Sequence, residues 1–148
     1  MLRQIDLHDE GEARSLLALQ RAAYAQEAAL INYPDLPPLR ETLEQLMACG
    51  ETVLGWCADG QWLGAIGFLD GDAGVEICRL VVAPAAQRQG IARQLLAAVC
   101  TQAAGRPVQV GTAAANTPAV ALYQAMGFAI SRRFATPDGL ALLTLTRH

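Results

Sequence analysis

The sequence predicts an α/β domain with a mixed, mostly antiparallel sheet of six to seven strands and about four helices. A run rich in β-branched residues, Val75–Val82, is followed by a short turn and by an amphipathic helix that starts near Gly90. Turns at Asp59-Gly60 and Pro137-Asp138-Gly139 separate apolar segments and predict two hairpins. The predicted order of elements is β-α-α-β-β-β-α-β-α-β-β.

The first half of the chain supplies a strand, two helices and a hairpin. Leu2–Leu7 alternates apolar and polar residues, which predicts a strand. Asp9 can cap a helix over Glu10–Ala29. Proline suits the first turn of a helix, so a second helix is predicted to start near Pro38 or Leu39 and to end at Gly50. The hairpin strands are predicted at residues 52–58 and 61–69.

The second half alternates strands and helices around the central strand. A strand is predicted at Val108–Thr112. Thr117 is predicted to cap the last helix, with Pro118 in its first turn and Gly127 at its C-terminal exit. The last two strands are predicted at residues 128–135 and 140–146.

Composition indicates one domain over residues 1–148 with a hydrophobic core. The chain has 148 residues, of which 53% are hydrophobic, and a net charge of −3, which argues against a nucleic-acid partner. No apolar run approaches the length of a membrane span, and no signal peptide is visible. The chain has four cysteines without metal-site spacing: Cys49, Cys57, Cys78 and Cys100. Three of them lie in apolar runs, where burial is expected. A reducing, cytoplasmic location fits these features.

The turn Gln87–Ala92 has the properties of an anion site. The first N–H groups of a helix lack internal partners, and the helix dipole places positive charge there. Gly90 and Ala92 leave the backbone open, and Arg88 and Arg93 add positive charge, so the turn is predicted to form a pyrophosphate cradle. The G-x-G-x-x-G and P-loop motifs are both absent.

Two segments resemble the GNAT superfamily of N-acetyltransferases. Q-R-Q-G-I-A, after a strand ending L-V-V-A-P, is similar to the acetyl-CoA signature Q/R-x-x-G-x-G/A. Asn116–Phe128 is similar to the later N…A…L-Y…G-F segment of that superfamily. The resemblance covers roughly residues 50–146, and the first 50 residues only by layout. It implies a GNAT-like fold and acetyl-CoA-dependent N-acetyltransferase activity without a metal, by direct transfer to a primary amine in a ternary complex.

The resemblance also implies which residues bind acetyl-CoA. The pantetheine arm is expected along Leu80, Val81 and Val82, with the Val82 N–H near the acetyl oxygen. Asn116 is expected to contact the same arm, although it can equally be a helix-start residue. The residues expected around the pyrophosphate are Gln87, Arg88, Gln89, Gly90, Ile91, Ala92 and Arg93.

Amine acetylation needs a proton acceptor, and Glu76 is the candidate. Strand alternation predicts one face shared by Glu76, Cys78, Leu80 and Val82, where a carboxylate is costly without a partner or cavity. Glu76 also lies eleven residues before Gln87, where several GNAT members carry their base. The alternative is a surface glutamate beside the preceding turn. Cys78 would line the same pocket, and an acyl-cysteine intermediate is a minor alternative.

The departing thiolate needs a proton, and Tyr123 is the candidate acid by resemblance. The alternative is a tyrosine that only packs against Phe128. Tyr24, Glu27, Tyr33 and Asp35 lie where GNAT proteins build the acceptor pocket, and each acid has the alternative role of a surface residue.

The predicted partner is a small-molecule or peptide amine, and the resemblance also allows a homodimer. A rival function is a non-catalytic acyl-CoA sensor or interaction module on the same fold. A dinucleotide-binding fragment is a weaker alternative because its glycine fingerprint is missing.

Overall fold

A seven-stranded sheet forms the centre of the computed structural model, which describes all 148 residues. The strands lie in the spatial order β1-β2-β3-β4-β5-β7-β6, and only the β4–β5 pair is parallel. This confirms the predicted mixed, mostly antiparallel sheet. The strand bounds are β1 Leu2–Ile5, β2 Thr52–Ala58, β3 Gln61–Gly71, β4 Gly74–Val82, β5 Val108–Ala113, β6 Ala129–Ala135 and β7 Ala141–Arg147.

Four α-helices accompany the sheet. Their bounds are α1 Glu10–Leu30, α2 Leu43–Met47, α3 Ile91–Ala103 and α4 Thr117–Ala125. Asp9 caps α1 as predicted, because its side chain accepts a hydrogen bond from the Glu12 N–H at 3.1 Å. The Asp59-Gly60 turn joins β2 to β3 as predicted, with positive φ at both residues.

The predicted long second helix is wrong. A 3-10 turn over Pro37–Arg40 ends at Glu41, and α2 is a separate helix of five residues. Thr42 separates the two because it forms a capping box with Gln45, in which each side chain bonds the other residue's backbone N–H. The chain is extended at Thr42, so a continuous helix cannot pass through it.

The residue that caps α4 also differs from the prediction. The Asn116 Oδ1 accepts a hydrogen bond from the Ala119 N–H at 3.3 Å, so Asn116 occupies the position predicted for Thr117. Asparagine is at least as good a helix cap as threonine, and Pro118 still lies in the first turn.

Two hydrophobic cores cover the two faces of the sheet. The α3-side core contains Leu95 and Val99 of α3 together with Ile66 and Ile77 of the sheet. The α1-side core is built from Leu16 of α1, Leu46 of α2 and the sheet residues Val53, Ala65 and Val81. The sheet is therefore sandwiched between α1 and α2 on one face and α3 and α4 on the other.

The expectation of three buried cysteines is wrong. Only Cys100 is buried, Cys49 and Cys57 are half-buried, and Cys78 is exposed. Apolar neighbours in sequence do not ensure burial where a strand is irregular or near an edge. No helix has both the length and the apolar character needed to cross a membrane.

Candidate active site

Strands β4 and β5 separate halfway along their length. They pair at only three positions, where residues 75, 76 and 77 face 108, 109 and 110. Beyond Ile77, β4 continues to Val82 and β5 to Ala113 without pairing to each other. The two strands therefore open a gap inside the sheet.

The main-chain groups of Leu80 and Val82 face this gap. The Ala83 N–H donates a hydrogen bond to the Leu63 carbonyl at 2.8 Å, so alternate residues of β4 bond to β3. The residues between them direct their N–H and C=O groups to the opposite edge of the strand. Val81 is one of the residues bonded to β3, so its main-chain groups do not face the gap. Its side chain lies in the α1-side core.

A β-bulge interrupts β4 just before the gap. Gly67 of β3 pairs with Arg79, and the next residue, Phe68, pairs with Ile77. Cys78 is therefore the extra residue on β4, and the inward and outward alternation changes at this point.

Because of the bulge, the β4 residues that were predicted to share one face lie on different faces of the sheet. Leu80 and Val82 pack against the α3-side core. Glu76 lies between two residues of that core and consequently points to the α1 side, where the charges of Glu51 and Glu76 act on the Cys78 thiol. The prediction that Glu76, Cys78, Leu80 and Val82 share one face is wrong.

The turn before α3 has an irregular backbone. Arg88 has a φ of 65° and Gly90 a φ of 77°, and no side chain caps the helix. The first helical bond runs from the Gln94 N–H to the Gly90 carbonyl at 3.0 Å, so the N–H groups before Gln94 have no partner within the helix. A Cβ at Gly90 meets no atom within 4 Å, so the left-handed backbone, rather than close packing, favours glycine here.

The side chains of this turn differ in their burial and in their contacts with the rest of the protein. Ile91 is buried in the α3-side core, so only its backbone can meet a ligand. Gln87 donates a hydrogen bond to the Gln26 Oε1 on α1. Arg93 is exposed and approaches the Met126 Sδ at 3.6 Å, while Arg88 and Gln89 are exposed without side-chain partners in the protein.

The end of α1 spans the opening between the two strands. Gln26 is bonded to the segment that follows β4, and the neighbouring Glu27 is bonded to Asn116, three residues after β5 ends. The Asn116 Nδ2 donates to the Glu27 Oε1 at 2.8 Å. This contact joins α1 to the start of α4, which carries Tyr123 two turns later.

Two buried tyrosines lie in the electrostatic field of Glu27. Tyr24 is 9% exposed and Tyr123 is 5% exposed, and neither hydroxyl has a hydrogen-bond partner in the protein. Burial raises the pKa of each phenol, and the negative charge of Glu27 raises both further. The Tyr123 ring packs on Phe128 with centroids 5.7 Å apart, so the packing predicted as an alternative role is present.

Glu76 and Cys78 are both exposed. Glu76 makes no hydrogen bond or ion pair through its side chain, and an exposed carboxylate needs none because water solvates it. Although the Cys78 side chain is exposed, incomplete hydration of its thiol and the nearby carboxylates raise its pKa to about 11, which keeps the thiol protonated and disfavours an acyl-cysteine.

Tyr33 and Asp35 lie apart from the Glu27 contact. The Tyr33 hydroxyl donates to the Asp138 carboxylate and ties the loop after α1 to the β6–β7 turn. That hydrogen bond raises the pKa of Tyr33. Asp35 is exposed and pairs with Arg40 at 3.5 Å, as expected of a surface acid.

A buried charge cluster on the α1 side was not predicted. Arg79 is 8% exposed, and its guanidinium bonds Glu41 at 2.6 Å, Glu51 at 2.7 Å and the Gln20 Oε1 at 2.7 Å. A Cβ at Gly67 would lie 2.9 Å from the Arg79 Cγ and closer still to Glu51, so glycine makes room for the pair. An arginine inside a β-branched strand is the signal that points to such a cluster.

Comparison with known proteins identifies relatives of the chain. The profile of the acetyltransferase (GNAT) family matches residues 15–128. The chain is 36% identical over 131 residues to the UPF0157 protein YqkA of Bacillus subtilis, covering 88% of this chain and 38% of that protein. It is 34% identical over 116 residues to a mycothiol acetyltransferase of Geodermatophilus obscurus, covering 74% and 35%. The chain thus spans less than two fifths of these relatives.

Solved structures share the fold. The ribosomal-protein-S18-alanine N-acetyltransferase from Escherichia coli superposes with a TM-score of 0.77 at 16% identity, covering 99% of this chain and 93% of that one. The yncA structure from Salmonella typhimurium, a putative acetyltransferase with its cofactor acetyl-CoA, gives 0.72 at 21% identity, covering 99% and 91%. Since the family profile covers more than half of the chain, the chain belongs to the acetyltransferase (GNAT) family.

Proposed function

We propose that the protein transfers the acetyl group of acetyl-CoA to a primary amine, directly and within a ternary complex. The observation that carries the proposal is the gap between β4 and β5, whose free main-chain edge belongs to Leu80 and Val82, residues that pack against the core containing Tyr123. The yncA structure with acetyl-CoA supports the choice of co-substrate, since that protein has the same fold.

The residues around the gap suit acetyl-CoA. The free N–H and C=O groups of Leu80 and Val82 would pair with the amides of the pantetheine arm, as a neighbouring strand does. The uncapped N-terminus of α3, with Arg88 beside it, would hold the pyrophosphate. Asn116 would contact the arm through its side-chain amide, because its backbone N–H and C=O are bonded to Ala113 and Val120 while its Nδ2 gives only one of its two protons to Glu27.

Acetyl-CoA supplies the acetyl group as a thioester. Residues of the chain would accept and donate the protons and stabilise the negative charge that develops on the carbonyl oxygen. Glu76 is exposed, so it would take the proton of the acceptor ammonium through water. The Val82 N–H would donate a hydrogen bond to the oxygen that becomes negative. Tyr123 would donate its proton to the leaving sulfur and regain one from the new amide nitrogen. Its raised pKa keeps the hydroxyl protonated at neutral pH, as a donor must be.

Thiol release from acetyl-CoA, measured against a panel of amines and a control without amine, tests the proposal. The chain contains no lysine, so acetylation of its own lysine side chains cannot add to the background. We expect release above the control with at least one class of amine. Tight acetyl-CoA binding without release by any amine would instead favour the acyl-CoA sensor.

The Glu76→Gln variant separates an enzyme from a sensor and tests the proton acceptor. We expect slower turnover with unchanged acetyl-CoA affinity, because Glu76 lies on the α1 side while Leu80 and Val82 face the α3 side. A turnover rate equal to that of the wild type would remove Glu76 from the mechanism.

We also propose that the protein forms a homodimer through its C-terminal strands. β6 is an edge strand of the sheet, and Phe134 on it is 37% exposed. Light scattering across a range of concentrations tests this, and a monomer mass throughout would contradict it.

A further inference from the structure

Glu27 is the best-placed anionic group at the opening between β4 and β5. It lies on α1 three residues after Tyr24, so both side chains emerge on neighbouring parts of one helix face. Its contact with Asn116 brings it to the start of α4, the helix that carries Tyr123. One carboxylate, two buried phenols and a fixed amide are thus gathered where α1 meets α4.

One of the two oxygens of the Glu27 carboxylate already accepts a hydrogen bond from the protein. Oε1 accepts the hydrogen bond from Asn116, whose own Oδ1 is held by the Ala119 N–H. Oε2 makes no hydrogen bond in the protein, and it is not among the fully buried polar atoms that lack a partner. The orientation of Glu27 is therefore set by the protein while one oxygen stays available to a ligand.

No cation of the protein compensates Glu27. None of the six ion pairs includes it. Arg21, earlier on α1, donates instead to the Glu41 carbonyl at 3.3 Å. A half-buried carboxylate without a counter-ion, beside two buried phenols with unpartnered hydroxyls, is an arrangement that a bound cation would stabilise.

Other acidic residues on the α1 side of the sheet add to the negative charge of Glu27. The cluster behind Tyr24 joins one positive group, Arg79, to two carboxylates, Glu41 and Glu51, and so carries one excess negative charge. Glu76 also points to the α1 side of the sheet. An acceptor carrying its own carboxylate beside the amine would meet repulsion from several directions.

We propose that Glu27 binds the ammonium group of the acceptor beside Tyr123, and that the acceptor is a cationic amine without a neighbouring carboxylate. This inference rests on the proposed function and narrows it: aliphatic diamines and peptide-like amines fit, whereas free α-amino acids do not. Glu27 holds the nitrogen before it loses its proton, and the proton then leaves by the route described above.

Steady-state kinetics of Glu27→Gln test the proposal. Glutamine keeps an oxygen acceptor for Asn116 and removes only the charge. With an aliphatic diamine as acceptor, we expect KM for the amine to rise by about tenfold or more, which corresponds to about 1.4 kcal/mol, while kcat changes by less than about threefold. With an arylamine that is uncharged at pH 7, the KM values of the two proteins should agree within about twofold, because no charge pair is lost.

Asp35→Asn is the matched control, since it removes an exposed carboxylate that is paired with Arg40. It should leave both KM values unchanged, and Glu27→Asp should recover part of the loss. An unchanged diamine KM in Glu27→Gln, with an active wild type, overturns the role of Glu27 and leaves the proposed function intact. A better rate with an α-amino acid than with its amide overturns the acceptor class. A wild type that acetylates no amine defeats the proposed function and this inference with it.

Discussion

Replacing Arg79 with methionine tests how the α1 side of the site is held together. Arg79 and Glu51 each have 7% of their side chains exposed, and Glu41 has 20% exposed. Methionine fills much of the same volume but leaves both carboxylates without a cation. Removing one partner of a buried ion pair costs about 3–5 kcal/mol because the remaining charge is stranded. At about 2–4 °C per kcal/mol for a chain of this size, Tm should fall by about 6–20 °C.

Calorimetry at pH 7 measures this effect, and Arg14→Met is the matched control. Arg14 pairs with Glu10 at 3.2 Å, but both side chains are about two-thirds exposed, at 64% and 65%. Such a pair contributes about 0–1 kcal/mol, so the control should lose at most about 4 °C. A Tm for Arg79→Met within the range of the control would refute the account of a stranded buried charge.

The same pair of proteins gives a pH test through Glu41. Burial raises the pKa of Glu41, but hydrogen bonds from Arg79 and Gln20 outweigh burial and leave it below its ordinary value of 4.5. A lowered folded pKa contributes stability above the unfolded value that disappears as pH falls through the folded value. The Tm difference between wild type and Arg79→Met should therefore narrow below about pH 4.5. A difference that stays constant from pH 7 to about pH 3.5 would contradict this assignment.

Three further predictions concern the site. Gly90→Glu should weaken acetyl-CoA binding by about tenfold or more, because a carboxylate at the α3 N-terminus competes for its N–H groups; an unchanged Kd in a calorimetric titration would argue against the cradle. Tyr123→Phe should lower kcat by about a hundredfold while Kd for acetyl-CoA stays within about threefold, and equal rates for the two proteins would exclude Tyr123 as the acid. Asn116→Ala should reduce the free energy of unfolding by about 1 kcal/mol and Tm by about 2–4 °C, since it removes a helix cap; a Tm equal to that of the wild type would mean that the cap contributes nothing.

The sequence was sufficient for the strand order along the chain and for the turn before α3. Those features follow from local chemistry: β-branched runs, glycine at positive φ, and proline in first turns. The predicted helix start near Pro38 and the predicted cap at Thr117 are wrong because Thr42 and Asn116 are also good capping residues, and local chemistry alone does not rank such candidates. Both errors moved a helix boundary without changing the fold.

The bulge at Cys78 was not accessible to pattern analysis. It depends on how β3 pairs with β4, and an alternation rule applied to one strand cannot register an extra residue opposite its partner. The consequence was large for the site, since it moved Glu76 to the other face from Leu80 and Val82.

The remaining differences between the predicted and the observed site come from contacts between residues that are far apart in the sequence. Glu27 and Asn116 are 89 residues apart, and Arg79 reaches Gln20 across 59 residues. Residues 1–50 hold eight acids against four arginines, but only the packing of α1 against β4 distinguishes Glu41, inside the cluster, from exposed Asp35. Charge composition alone carries no information about which acids are buried.

Hydrogen exchange of the β4 amides with and without acetyl-CoA tests the central claim most directly. Leu80 and Val82 direct their N–H groups into the gap, whereas the Val81 N–H faces β3 and serves as an internal control. We predict fast exchange at Leu80 and Val82 in the free protein, about tenfold or greater slowing with saturating acetyl-CoA, and slow exchange at Val81 in both states. Leu80 and Val82 amides that acetyl-CoA leaves unchanged, or that are already as slow as Val81 in the free protein, would contradict the account.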